Sequence, residues 1–188
     1  MGQYHSIFNL DKKEVIRPHG LGDGTKLVEW WGSYPAMGLS LLLACTNGET
    51  GRGGGDWKPW VEGVSEYLTA ETYGADRMVD FDAEDAKAIA SAIPGRWAGD
   101  RIAVVGDYME EGDLDLEHGD PYRDESYTDI SDVVFVALSL DHYTGQRIKG
   151  DDWAMRKFEE ALDSFKVTLK TMQEADEARA NAADQLTM

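Results

Sequence analysis

YHSIFNLDKKEVIR, residues 4–17, sets the apolar residues Ile7, Phe8, Leu10, Val15 and Ile16 on either side of the polar triplet Asp11-Lys12-Lys13. Residues 4–10 read as a strand, the triplet as a turn, and residues 14–17 as a return strand stopped by Pro18. The same form recurs near the other end of the chain. Residues 133–140 are β-branched and apolar, 141–145 are turn-like and 146–148 return, and Ser139-Leu140-Asp141 echoes Asn9-Leu10-Asp11. Two similar hairpins sharing one antiparallel or mixed sheet are expected.

Between the hairpins the pattern is helical in three places. Residues 25–31 and 37–45 read as helices, the second nearly all apolar and so buried. Asp82 can cap a third over 83–93, where Ala86, Ile89, Ala90 and Ile93 share a face and Pro94 ends the helix. Ile102, Ala103, Val104 and Val105 follow one another within 101–108, as in a central strand buried on both faces. The glycine-rich 47–56 and the acidic 110–129 read as loops. Last comes a stripe of Met155, Phe158, Leu162, Phe165, Leu169 and Met172 at alternating spacings of three and four. Asp151 or Asp152 can cap this helix, and from about residue 174 it turns polar and is expected to fray. The fold class is α+β. A single domain over 1–150 carries two hairpins covered by helices, with a C-terminal helix over 151–188 docked upon it. A stripe this short favours docking on the domain. Self-association through Phe158, Leu162, Phe165 and Leu169 is the alternative.

The 188 residues, 42% of them apolar and six of them tryptophan, suffice for one domain with a real core. The single cysteine, Cys45, excludes an internal disulfide and suits a reducing compartment. No apolar run is long enough to span a bilayer, and the first residues lack the basic-then-apolar form of a secretory signal, so the cytoplasm is the expected location. Met1-Gly2-Gln3-Tyr4-His5-Ser6 fits an N-myristoylation pattern, but no polybasic second anchor follows it.

Charge is the strongest functional signal. The net charge is −18; residues 1–55 are neutral, 56–150 carry −14 and 151–188 carry −4. Such a field repels phosphate and attracts cations or basic surfaces, so direct nucleic-acid binding is not expected. The candidate partner-binding residues are Glu110, Glu111, Asp113 and Asp115, with Glu117, Asp120, Asp124 and Glu125 continuing the run.

Motifs for specific ligands fail when their spacing is checked. A P-loop over 20–27 would need glycine at Thr25 and a hydroxyl at Leu27; a dinucleotide fingerprint over 51–56 would need glycine at Asp56. Asp113, Asp115 and Glu117 alternate like the first ligands of a calcium loop. The sixth and twelfth positions are His118 and Asp124 instead of glycine and glutamate, which leaves a loose divalent-cation site at most. No other cofactor is implied. His5, His19, His118 and His142 lack metal-ligand spacing. In a shared sheet, however, His5 and His142 could approach one another and, with Asp107, form a catalytic acid–base or metal site. Asp100 and Arg101 suggest a local ion pair beside Trp97.

Several phrases carry a resemblance. They are Met1-Gly2-Gln3-Tyr4, Asn9-Leu10-Asp11-Lys12-Lys13-Glu14, His19, and Gly22-Asp23-Gly24-Thr25-Lys26-Leu27-Val28-Glu29. Trp97-Ala98-Gly99-Asp100-Arg101-Ile102 runs on into Gly106-Asp107-Tyr108, and Asp141-His142 follows later. Together they resemble a functionally uncharacterised family of small bacterial and phage proteins. The resemblance implies a soluble microbial or viral protein borne on a mobile element, and it assigns no residue a catalytic role. The function expected is that of a non-enzymatic acidic protein engaging a basic partner surface. A metal-dependent hydrolase built on Asp107 and His142, and a virion or assembly component, are the alternatives.

Overall fold

The computed structural model describes residues 3–22, 26, 32–44, 83–109, 121–140, 147 and 150–186. β1 (His5–Asn9) and β2 (Glu14–Ile16) form the expected first hairpin, with Ile7 opposite Ile16 and Phe8 opposite Val15. Asn9 holds the turn at 10–13: its side-chain oxygen accepts from the amides of Asp11 at 3.0 Å and Lys12 at 2.8 Å. Asparagine does this because its short amide can stand in for a backbone acceptor. A 3-10 turn (Pro18–Leu21) follows and ends at Gly22, φ 63°. A Cβ at Gly22 would lie 2.8 Å from the Phe135 ring, so both the left-handed backbone and the close approach require glycine.

β3 (Ile102–Gly106) pairs antiparallel with β1, and β4 (Thr128–Asp129) lies parallel to β2. The mixed four-stranded sheet has the order β3-β1-β2-β4. Two expectations change here. The apolar run at 101–108 is an edge strand among the described residues, with Val104 41% exposed. An unbroken apolar run marks burial, but it does not reveal whether strands exist on both sides. The end of the expected acidic loop becomes β4, because the amides of Thr128 and Ile130 reach the carbonyls of Lys13 and Val15 at 2.8 and 2.9 Å.

The helices are α1 (Tyr34–Leu43), α2 (Ala83–Ala92), α3 (Ser131–Ser139) and α4 (Asp152–Leu186). Ser33 caps α1 by accepting from the Ala36 amide at 3.4 Å, and Pro35 sits in the first turn, where its missing N–H is not needed. α3 is the main correction. The run 133–140, expected as the first strand of a second hairpin, lies in and just after the helix Ser131–Ser139, of which every residue but Asp132 is buried. The run is apolar without alternation, so it fits any element surrounded on all sides. Its β-branched residues favour a strand by only fractions of a kcal/mol each. Burying each of its large side chains contributes about 1.5–3 kcal/mol. Neighbours therefore decide, and α3 packs against α1, α2, α4, the 3-10 turn and β2. Of the supposed return strand at 146–148, only Arg147 is described, and it is helical. Likewise Lys26, expected in a helix over 25–31, instead bridges Tyr4 in antiparallel fashion. The rest of 25–31, the 47–56 loop and Cys45 lie outside the described residues.

The core lies between the sheet and the helices. Ile7 and Ile16 on one sheet face join Trp97, Ile130 and the inward faces of α1–α4. The opposite face carries Phe8, Val15 and Val105, partly covered by Tyr122 and Tyr127. On α4, Phe158 and Phe165 are fully buried and Leu162, Leu169 and Met172 nearly so. Phe158, Leu162, Phe165 and Leu169, the residues named for self-association, lie inside the chain's own core, where α4 packs against α3. No helix among the described residues is long and apolar enough to cross a membrane.

Candidate functional site

Two polar assemblies stand out, one structural and one open to solvent. The first joins the phrases 9–14 and 96–101. Asp100 accepts from Asn9 Nδ2 at 2.7 Å and from Lys12 Nζ at 2.6 Å. Asp11 accepts from the Arg101 amide at 2.7 Å and from its Nε at 2.8 Å, which holds the Asp11 carboxyl below its ordinary pKa. Asp100 and Arg101 therefore do not pair with each other; each reaches across to the hairpin turn, since adjacent strand-entry residues point apart.

Beneath this clasp sits a buried charge network that local sequence does not announce. Glu14 shares the helix-facing side of β2 with Ile16 and is 2% exposed. Arg96 Nε lies 3.1 and 2.9 Å from its two oxygens, Arg96 Nη2 lies 2.5 Å from Oε1, and Trp97 Nε1 donates to Oε2 at 2.7 Å. Arg96 Nη1 reaches Asp176 on α4 at 2.8 Å, and Arg179 donates to Asp176 at 2.5 Å and to the Lys12 carbonyl at 3.3 Å. Burial works to lower the pKa of Arg96, but the hydrogen bonds to Glu14 and Asp176 outweigh it and raise it. For Asp176, burial pushes upward and the two guanidiniums overcome it, leaving its pKa lowered. The polar end of α4 is thus tied to the sheet through Asp176 and Arg179.

Of the catalytic candidates, His5 lies on β1 opposite Gly106, and Asp107 follows at the end of β3, so one end of the sheet carries both. Asp107 Oδ1 accepts from the Tyr4 amide at 3.1 Å, while the Asp107 amide donates to the Tyr4 carbonyl at 2.9 Å. That double link closes the sheet end. His5 Nδ1 is buried with no hydrogen-bond partner among the described residues, and His19 packs edge-on against Tyr4 with centroids 4.6 Å apart. Among the described residues no three His, Cys, Asp or Glu side chains converge as metal ligands. His142, the cation candidates Asp113, Asp115 and Glu117, and the partner candidates Glu110, Glu111 and Asp120 lie outside the described residues. Asp124 is already engaged within the chain: hydrogen bonds from Lys13 at 2.7 Å and from Ser126 hold its carboxyl well below the usual carboxylate range. Glu125 is exposed.

The second assembly is a cleft of about 260 Å³ between the 3-10 turn, the start of α3 and the first turns of α4. Asp129, Ser131 and Asp132 form one wall; Lys157, Glu160 and Ser164 form the other. Ser131 is committed: it donates to Asp129 at 2.5 Å and accepts from the Arg17 amide at 2.7 Å. Gly20 lets the 3-10 turn come this close, since a Cβ there would fall 2.6 Å from Ser131 Cβ. Asp132 accepts from its neighbour's amide at 2.8 Å and from Thr168 Oγ1 at 2.8 Å. Burial raises its pKa despite these hydrogen bonds. The cleft is built by the pairing of α3 with α4, which a strand over 133–140 would not form.

Comparison of the chain with protein-family models, with curated proteins and with solved structures finds no match.

Proposed function

We propose that the protein is a non-enzymatic acidic binding protein whose surface engages a basic partner surface. The observation that supports this most is how the chain uses its cations. Lys12, Lys13, Arg17, Arg96, Arg101 and Arg179 are each held by a carboxylate of the same chain. With the net charge at −18, the carboxylates left over dominate the outward field. A mobile-element factor that covers the nucleic-acid-binding surface of a host protein would use such a field, because spaced carboxylates imitate a phosphate backbone.

The test is affinity capture from the native host, followed by binding of the purified pair across a salt series. The expected partner has a basic patch, and its affinity falls steeply between roughly 50 mM and 500 mM sodium chloride as the charges are screened. A captured partner that is acidic, or one bound with unchanged affinity across that series, refutes the reading.

A further inference from the structure

We infer, independently of the acidic-binder reading, that the outer edge of β3 pairs antiparallel with the same edge of a second copy of this chain. The two sheets would join through a two-fold axis at Val104. The direction of the backbone groups along β3 leaves this edge open. The Arg101 carbonyl accepts from the Leu10 amide and the Asp107 amide donates to the Tyr4 carbonyl, each at 2.9 Å. Residues 101, 103, 105 and 107 therefore turn their backbone groups towards β1, and the alternate residues turn theirs away. Those of Ile102, Val104 and Gly106 point to the outer edge, beyond which no strand lies among the described residues. The Gly106 carbonyl accepts from the Met109 amide at 3.2 Å and keeps a second lone pair. Val104, at the centre, is 41% exposed.

The two edges of the sheet are protected differently. β4 is two residues long and carries Asp129, and both features discourage an incoming strand. β3 is five residues, Ile-Ala-Val-Val-Gly, in unbroken register with β1 and without charge or proline, in a chain that holds 36 acidic residues. A second copy is the occupant its flanking charges fit. Pairing about Val104 is the symmetric register that engages every outward residue: Val104 meets Val104 of the other copy, and Ile102 meets Gly106. Two-fold symmetry then sets Arg101 of each copy opposite Asp107 of the other, on the same face of the sheet. Arg101 already reaches Asp11 at 2.7 Å, but its side chain is 56% exposed and a guanidinium shares five donors among several acceptors. The Asp107 carboxylate likewise has acceptor sites beyond the one that the Tyr4 amide uses. A contact of one strand is small, so the pair is weak and forms only as concentration rises.

The test is sedimentation equilibrium of the full chain from about 5 µM to about 500 µM. Roughly 0.3 M sodium chloride, with a Debye length of about 6 Å, screens the repulsion between two copies of net charge −18. The expected result is a monomer at the dilute end and a dimer at the concentrated end, with amide exchange of Ile102 and Val104 slowing as the dimer forms. Val104→Pro removes an outward N–H that the chain's own ladder does not use, and Val104→Lys sets two like charges together on the axis. Each should weaken the dimer by about tenfold or more while the monomer stays folded. Arg101→Glu and Asp107→Lys should each weaken it as well, and mixing those two proteins should restore pairing, because every flanking charge then meets its opposite. Where a charge variant does not fold, the Val104 variants decide. A chain that stays monomeric throughout, or Ile102 and Val104 amides already protected in the dilute monomer, overturns the inference. A dimer that Val104→Lys leaves unchanged overturns it too, as does a pair of folded charge variants that fail to complement on mixing.

Discussion

Replacing Arg96 with methionine should be among the most damaging single changes outside the apolar core. Its guanidinium side chain is 6% exposed and bridges Glu14, itself 2% exposed, to Asp176 on α4. Methionine fills similar space but leaves the Glu14 carboxylate with the Trp97 N–H and a distant Arg179, whose Nη2 lies 3.8 Å away. Removing one partner of a buried pair costs about 3–5 kcal/mol, because the other charge stays buried and unanswered. For a chain of 188 residues that corresponds to a fall in melting temperature of roughly 6–20 °C. Thermal and urea unfolding of Arg96→Met against wild type give the number. The double variant Glu14→Met with Arg96→Met removes both charges and should recover most of the loss. A residual of about 1–3 kcal/mol should remain, from the Trp97 N–H now without an acceptor. An Arg96→Met protein within about 0.5 kcal/mol of wild type would refute the reasoning, since surface substitutions behave that way and buried ion pairs do not.

Truncation after Gln173 removes Asp176 and Arg179, and the loss should be about 1–2 kcal/mol, seen as a lower urea midpoint; both side chains are more than a third exposed, so their pairs are well screened. Leu162→Asp should yield a destabilised monomer on sedimentation, because the residue is 8% exposed within its own chain, and a folded monomer derived from a wild-type dimer would contradict this. Burial raises the folded pKa of Asp132, so its contribution to stability is fully present below the unfolded value near 3.8 and is lost as pH rises through the folded value. Asp132→Asn should therefore be more stable than wild type at pH 7, with the difference fading towards pH 4 in a series of thermal melts. Asp124, held down by Lys13 and Ser126, should stay ionised in an NMR titration below the pH at which ordinary carboxylates protonate, and Lys13→Ala should move it part of the way back towards the usual range.

What the sequence determined by itself was local in origin. The turn at 10–13 is encoded by Asn9 and the polar residues after it, α2 by its apolar face and Pro94, and α4 by a stripe that repeats along one helix. These features depend on neighbours three or four positions away, within reach of periodicity and turn chemistry. The acidity, too, is a property of composition and needs no fold. The tertiary structure decided the rest. Residues 133–140 carry the same apolar signal as a buried strand, and only the surrounding α1, α2 and α4 make the helix the better way to bury it. Whether 101–108 is central or edge depends on which strands lie beside it, which its own residues do not state. The Glu14–Arg96–Asp176 network joins residues 82 and 80 positions apart, and the cleft sets Asp132 against Glu160 from another helix. A carboxylate becomes a buried partner only when packing removes its water and selects what faces it, and that selection is made by the fold.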